Sequence, residues 1–393
     1  MQGRSGARAV GLVWLVWLAA VLVTVAIGLA AGAYTWRPGW FQHSGLWPLF
    51  AWDYNWYERI AQAGYPDGGG GLRYAFFPLW PLLLRASGPI SDAGLTAVLA
   101  WAASGAAFLG VAAGTPGARV RTALALACWP GSFALAIAYP DGLALAAAAW
   151  AAVLALRGRW ISAGALGAVA AVARPSGFLI ALPLAWLARG NGPRAWLGAT
   201  LPVATGAAVQ GYFWARSGHA TVFWDAQKLW GRNGPAKLGD WTDHVRDVLT
   251  DHWALIGLLA VAAAAALVVT WRRVGPWPAA IAAYTCAVPV LLVATRSLEG
   301  FVDTARALLI IPVVVVLWRM GARYRPWAAF STAVVVLILF SGTVLSFGRL
   351  SLFAFPVFWA IGEGPRWLRY PPLAVLGFAA NLGLALLLTR FAP

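Results

Sequence analysis

Apolar stretches long enough to cross, or nearly cross, a lipid bilayer recur from one end of this chain to the other. They lie near 10–33, 92–113, 121–138, 140–156, 160–173, 177–188, 195–215, 252–271, 277–295, 305–319, 327–346, 350–361 and 371–390. Several fall short of the roughly 20 residues that a straight span needs. The pair 160–173 and 177–188, broken at Arg174-Pro175, reads equally as one re-entrant feature, so the expected count is about 11–13. Of the 393 residues, 61% are hydrophobic and 11% charged, whereas an ordinary soluble domain carries about 25% charged residues. Such a chain cannot cover a water-facing surface, and lipid must solvate much of it. The expectation is an all-α polytopic membrane protein forming one transmembrane domain over residues 1–393.

The charges sort by side. With the N-terminus in the cytoplasm and alternating spans, the inner segments hold Arg4, Arg8, Arg119, Arg121, Arg157, Arg159, Arg189, Arg194, Arg272, Arg273, Arg319, Arg323, Arg325, Arg366 and Arg369. These fifteen cations face a single acid, Glu363, while the outer side receives fourteen cations and twelve acids. Net charges of +14 and +2 together give the chain's +16. This is the asymmetry of a membrane topology signal and not a nucleic-acid footprint. The run from Ala9 to Ala33 exceeds the roughly 7–15 apolar residues of a cleaved signal peptide and reads as a first span that doubles as a signal anchor. Cys128 and Cys286 both lie in apolar runs and make no disulfide framework.

Two outer segments are long, 34–91 and 216–251, and they carry most of the polar material. The first contains Trp52-Asp53-Tyr54-Asn55-Trp56-Tyr57-Glu58-Arg59-Ile60-Ala61-Gln62-Ala63-Gly64-Tyr65-Pro66. Trp52, Trp56, Ile60 and Ala63 recur at helical spacing, and Gly64 with Pro66 supplies a stop. The segment predicts a short interfacial helix with its aromatic rings at headgroup depth, and Glu58 and Arg59 on its solvated face. Two roles fit Asp53 at its start. One is an N-cap, the other a partly desolvated carboxylate able to accept a proton.

The string Trp-Asp-x-x-Trp-Tyr-x-x-Ile-Ala-x-x-Gly-Tyr, followed by Ala75-Phe76-Phe77-Pro78-Leu79-Trp80-Pro81, resembles the GPI mannosyltransferase II family (the PIG-V type) and its bacterial relatives, membrane glycosyltransferases of the GT-C fold. Shorter likenesses follow in order. Tyr139-Pro140-Asp141-Gly142 resembles the family's Tyr-x-Glu segment, with Asp in place of Glu. Ala173-Arg174-Pro175-Ser176-Gly177 resembles its Arg-Pro/Ser-Asn-Gly segment, with Ser176 where Asn is usual. Arg349-Leu350-Ser351-Leu352-Phe353-Ala354-Phe355-Pro356 resembles the late Arg-x-Leu-x-x-x-Phe-Pro motif.

The resemblance implies transfer of mannose from a polyprenyl-phosphate donor to a lipid- or glycan-linked acceptor, with inversion at the anomeric carbon. Asp53 is the expected base and Asp141 the second acid or orienter. Arg174 and Arg349 are expected to hold the phosphate, with Trp52, Trp56 and Tyr57 beside the substrate. Each also has a plainer reading: Asp141 as an N-cap, Arg174 as a snorkelling residue at a helix break, and Arg349 as an interfacial anchor. In the topology above, all four charged residues face outward.

The second loop holds Asp240, Asp243, Asp247 and Asp251 on one helical face, which reads as a solvated acidic strip, with a cation site or an acceptor-binding strip as the other reading. Upstream, Lys228, Arg232 and Lys237 read as ordinary loop cations, with contact to an anionic lipid as the other reading. His43, His219, His244 and His252 have no ligand spacing, so no metal or cofactor is argued, and nothing in the sequence supports a divalent cation. Gly68-Gly69-Gly70-Gly71 lacks the strand and helix of a phosphate loop. Other readings are a transferase of arabinose or glucose, or a lipid or polysaccharide transporter without catalysis. A transporter places its ionisable residues mid-span, whereas the acids here fall at span ends on one side.

Overall fold

The computed structural model describes residues 2–32, 34, 47–87, 93–129, 131–232, 310–340 and 347–365. Among these every regular element is helical and no strand occurs, as the apolar pattern predicts. In chain order the helices are α1 (Gln2–Ala30), α2 (Tyr54–Ala63), α3 (Leu79–Ala86), α4 (Ala93–Ala113), α5 (Arg119–Ala127), α6 (Asp141–Leu156), α7 (Trp160–Ala173), α8 (Ala181–Ala188), α9 (Pro193–Ser217) and α10 (Val222–Leu229). Then follow α11 (Ile310–Arg319), α12 (Arg325–Leu339), α13 (Phe347–Leu350) and α14 (Pro356–Glu363).

Helices α4, α6, α7 and α9 stack side by side in that order, with α8 against α9 and α12 against α8. The alanine run of α6 explains its central place. Twelve of its 16 residues are buried, and small side chains let neighbouring backbones approach from several directions. Helices α7 and α9 approach closely, and a Cβ on Gly164 would stand 2.3 Å from the Gly198 carbonyl oxygen. Helices α1 and α14 pack on α5, and Arg121 Nε donates to the Gly362 carbonyl at 3.0 Å.

Two helical stretches, Ser5–Ala30 and Gly94–Ala113, are long and apolar enough to cross a membrane. The other apolar helices are shorter, among them Asp141–Leu156, Trp160–Ala173 and Ile310–Arg319. The stretch 121–138 is not one helix: α5 ends at Ala127, and a 3₁₀ turn at Ser132–Leu135 precedes α6. The break at Arg174-Pro175 falls where the sequence puts it, between α7 and the 3₁₀ segment Pro175–Ile180. The expected spans near 252–271, 277–295 and 371–390 and the acidic strip at 240–251 lie outside the described residues.

Helix α1 is apolar on both sides. Val10, Trp17, Val21 and Val25 are buried, while Leu12, Leu15, Val16, Val23 and Ile27 are each more than half exposed. A second, largely aromatic cluster joins the first loop to α9 and α10 through Tyr54, Tyr57, Tyr65, Tyr74, Phe77, Trp80, Tyr139 and Phe213. It carries the platform on which the charged residues sit.

Candidate functional site

Asp53 stands at the N-cap position of α2 but does not cap it. Its backbone is already helical (φ −59°, ψ −24°), and its carboxylate makes no bond to the helix N–H groups. The residue before it, Trp52, has φ +56°, a left-handed conformation that costs a non-glycine residue on the order of 1–3 kcal/mol. Tyr139 holds this turn from both ends. Its hydroxyl donates to the Ala51 carbonyl at 2.9 Å and accepts from the Asp53 amide at 3.0 Å. The 136–139 segment is fixed in turn, since the Ala138 amide donates to the Leu49 carbonyl at 3.0 Å and the Trp80 and Trp101 indoles donate to the carbonyls of Ala138 and Ala136.

Arg174 reaches the same place because of the proline after it. A residue preceding proline is pushed out of the helical region, and Arg174 is extended, with φ −149° and ψ 148°. Its guanidinium is hydrogen-bonded and ion-paired to Asp141 Oδ1. Asp141 is the first residue of α6, makes no side-chain cap, and is 5% exposed. The snorkelling and capping readings of these two residues therefore give way to a buried pair.

Arg349 completes the cluster. Its Nη1 lies 2.8 Å from Asp53 Oδ2, and its Nε lies 3.9 Å from Asp141 Oδ1. The guanidinium also sits over the Tyr139 ring, 5.0 Å from its centroid, a cation–π position. With only 12% of its side chain exposed, Arg349 is not an interfacial anchor. Burial opposes its charge, but Asp53 and Asp141 outweigh burial and hold the guanidinium above its usual range. Burial and then the Asp53 charge raise the Tyr57 and Tyr139 phenols, which stay neutral. Gly131 (φ +123°) makes room for this arrangement, because a Cβ there would lie 2.5 Å from the Gly348 carbonyl carbon and 3.0 Å from the Arg349 amide.

The cluster opens on a cavity of about 140 Å³ whose wall includes Asp53, Tyr57, Phe76, Arg174, Trp230, Arg232 and Arg349. Trp52 and Trp56 are not on that wall. Trp56 instead stacks on Phe76 with ring centroids 6.0 Å apart and meets Trp230 edge-on, so it supports the wall from behind. Glu58 is not solvated either: at 2% exposure it lies within the aromatic cluster and accepts from Gln62 at 3.4 Å. Arg59 is exposed, with its guanidinium over the Trp56 ring.

No role for Tyr139 or Trp230 was legible in the sequence, and Arg232 had only the general one, shared with Lys228 and Lys237, of meeting an anionic lipid. Tyr139 stood inside a quoted motif, and Arg232 was one of three loop cations with nothing to set it apart. Among the described residues no group of histidine, cysteine, aspartate and glutamate side chains is arranged to hold a metal ion. No family model matches the chain, and no curated protein matches it in sequence.

Proposed function

We propose that the chain is a multi-pass membrane glycosyltransferase, and more narrowly a mannosyltransferase, that moves a sugar from a polyprenyl-phosphate donor to a lipid- or glycan-linked acceptor at the outer face. The observation that carries this reading is the interlocked set Asp53–Arg349–Asp141–Arg174. Four segments distant in sequence deliver Asp53, Arg174 and Arg349 to the wall of one cavity, with Asp141 paired to Arg174 behind it. The membrane assignment is supported by the outward apolar face of α1 and by the segregation of charge, with the N-terminus on the cytoplasmic side.

The chemistry needs one base and a cationic surround. Asp53 Oδ2 is taken by Arg349, which leaves Oδ1 to accept the proton of an acceptor hydroxyl. As that proton leaves, the hydroxyl oxygen bonds to the anomeric carbon, and the bond from that carbon to the phosphate oxygen breaks. The phosphate departs with the electron pair and the configuration inverts. A phosphate needs little acid assistance, so the arginines serve chiefly to stabilise its growing charge in a site partly shielded from water. Asp141 holds Arg174 directly and Arg349 at longer range, orienting both. A transporter places its ionisable residues mid-span, whereas the topology read from the sequence puts these at span ends on one side, and the transferase is the stronger reading.

Incubating the purified chain with a panel of polyprenyl-phosphate sugars and a native lipid extract tests the proposal. A labelled glycolipid or glycan formed from one donor is the expected result. Donor movement across proteoliposomes without any transfer would put the transporter in its place.

A further inference from the structure

The charged cluster leaves one cation over. On and just behind the cavity wall stand three guanidinium groups, those of Arg174, Arg232 and Arg349, against the two carboxylates of Asp53 and Asp141. Arg174 is bound to Asp141 and Arg349 to Asp53, while Arg232 makes no ion pair among the described residues and feels the Asp53 charge only at longer range. Burial, and after it the positive charge of Arg349, pushes the Arg232 guanidinium below its usual range. That is the direction for a cation short of a counter-charge.

A second group points the same way. The indole nitrogen of Trp230 is buried and makes no hydrogen bond, and Trp230 lines the same cavity. An indole N–H can only donate, and a buried donor left unmet is unusual. The turn carrying both residues is well tied. The amides of Trp230 and Arg232 donate to the Gln227 carbonyl at 3.1 and 3.0 Å, and that of Gly231, with φ +74°, donates to Lys228. The Trp230 ring is held edge-on by Trp56 and Phe76, with centroids 5.9 and 5.7 Å away.

We propose that Arg232 and the Trp230 indole N–H form an anion subsite for a phosphoryl group, the one carried by a lipid-linked phosphosugar. This deepens the transferase reading and rests on it for the identity of the donor. It divides labour among the arginines. A phosphate bound directly by Arg349 would compete with Asp53 for a guanidinium already paired through Nη1 and weaken the pairing of a buried carboxylate, which is costly. Arg232 meets the phosphate at no such expense. Arg349 and Arg174 then act through their field and keep the base in position.

The test titrates the full-length chain in detergent micelles with three probes: a short-chain polyprenyl monophosphate, the polyprenol of the same length, and inorganic phosphate. The change Arg232→Gln is expected to weaken binding of the polyprenyl monophosphate by at least about tenfold, the loss of one charge-assisted contact, and to leave polyprenol binding unchanged. Trp230→Phe keeps the ring contacts and is expected to weaken it about threefold, as for a neutral hydrogen bond. If Arg232→Gln binds the monophosphate as the unaltered chain does, the subsite assignment is overturned while the transferase reading stands. Should inorganic phosphate bind as tightly as the lipid, and depend on Arg232, the anion subsite stands and the lipid-linked donor falls. Binding of neither phosphate species overturns the subsite.

Discussion

Asp53 and Arg349, 296 residues apart in the chain, meet as a buried ion pair with 2.8 Å between Oδ2 and Nη1. Each side chain is about one tenth exposed, so neither charge has bulk water to fall back on. Removing one partner of such a pair leaves an uncompensated charge and costs about 3–5 kcal/mol. Asp53→Asn and Arg349→Gln are each expected to lower stability by about 3 kcal/mol. The double variant is expected to be more stable than the two losses added together, with a coupling of about 1–3 kcal/mol. Unfolding of the four proteins in detergent micelles measures that cycle. Simple additivity would mean that the pair is not coupled in the folded chain.

Tyr139 ties the loop to the pair. Tyr139→Phe keeps the ring beneath Arg349 but deletes the hydroxyl that joins the Ala51 carbonyl to the Asp53 amide. The Asp53 amide is left unmet, while the Ala51 carbonyl keeps the Tyr54 amide at 3.4 Å, and the loss is about 1–3 kcal/mol. With the restraint on Trp52 relaxed, Asp53 loses its position, and sugar transfer should fall by roughly tenfold or more. Steady-state transfer rates alongside thermal unfolding check this. A variant less stable but fully active would show that Tyr139 serves the fold alone.

The proposed outward placement of the cavity is testable without any substrate. With Cys128 and Cys286 replaced by serine, a cysteine at Gly70 should react with a membrane-impermeant thiol reagent added to intact cells. One at Arg159 should react only after the membrane is opened. Both positions are exposed. Labelling in the reverse order would place the cavity on the cytoplasmic side and exclude an outer-face reaction.

The candidate site residues were named through the resemblance of four short segments, and two of them also sit at punctuation marks. Proline after Arg174 forces the extended backbone that turns its side chain inward, and Asp141 falls where α6 begins. The all-helical character followed from the apolar runs. What could not be read was partnership. Local pattern offered an N-cap for Asp53 and for Asp141, because a cap is decided within one turn of helix, while their actual partners arrive from Arg349 and Arg174 through tertiary packing. Glu58 misled for the same reason: a charged residue on a short helix reads as solvated until a second aromatic layer covers it. Trp52 and Trp56 read as substrate contacts from their position beside Asp53, yet the cavity wall is reached by Tyr57 from the other face of α2. Arg232 carried no local signal, since only the cavity distinguishes it from Lys228, which pairs with Asp225 on the surface.

The central claim is that Asp53 takes the acceptor's proton. Its most direct test is a single-turnover transfer assay with a labelled polyprenyl-phosphate sugar, comparing the unaltered chain with Asp53→Asn while donor binding is followed in parallel. Loss of a general base lowers the rate by roughly 10²–10⁴-fold, and this account predicts such a loss with donor affinity largely retained. Transfer by Asp53→Asn at the unaltered rate would contradict it and leave Asp53 as a structural partner of Arg349.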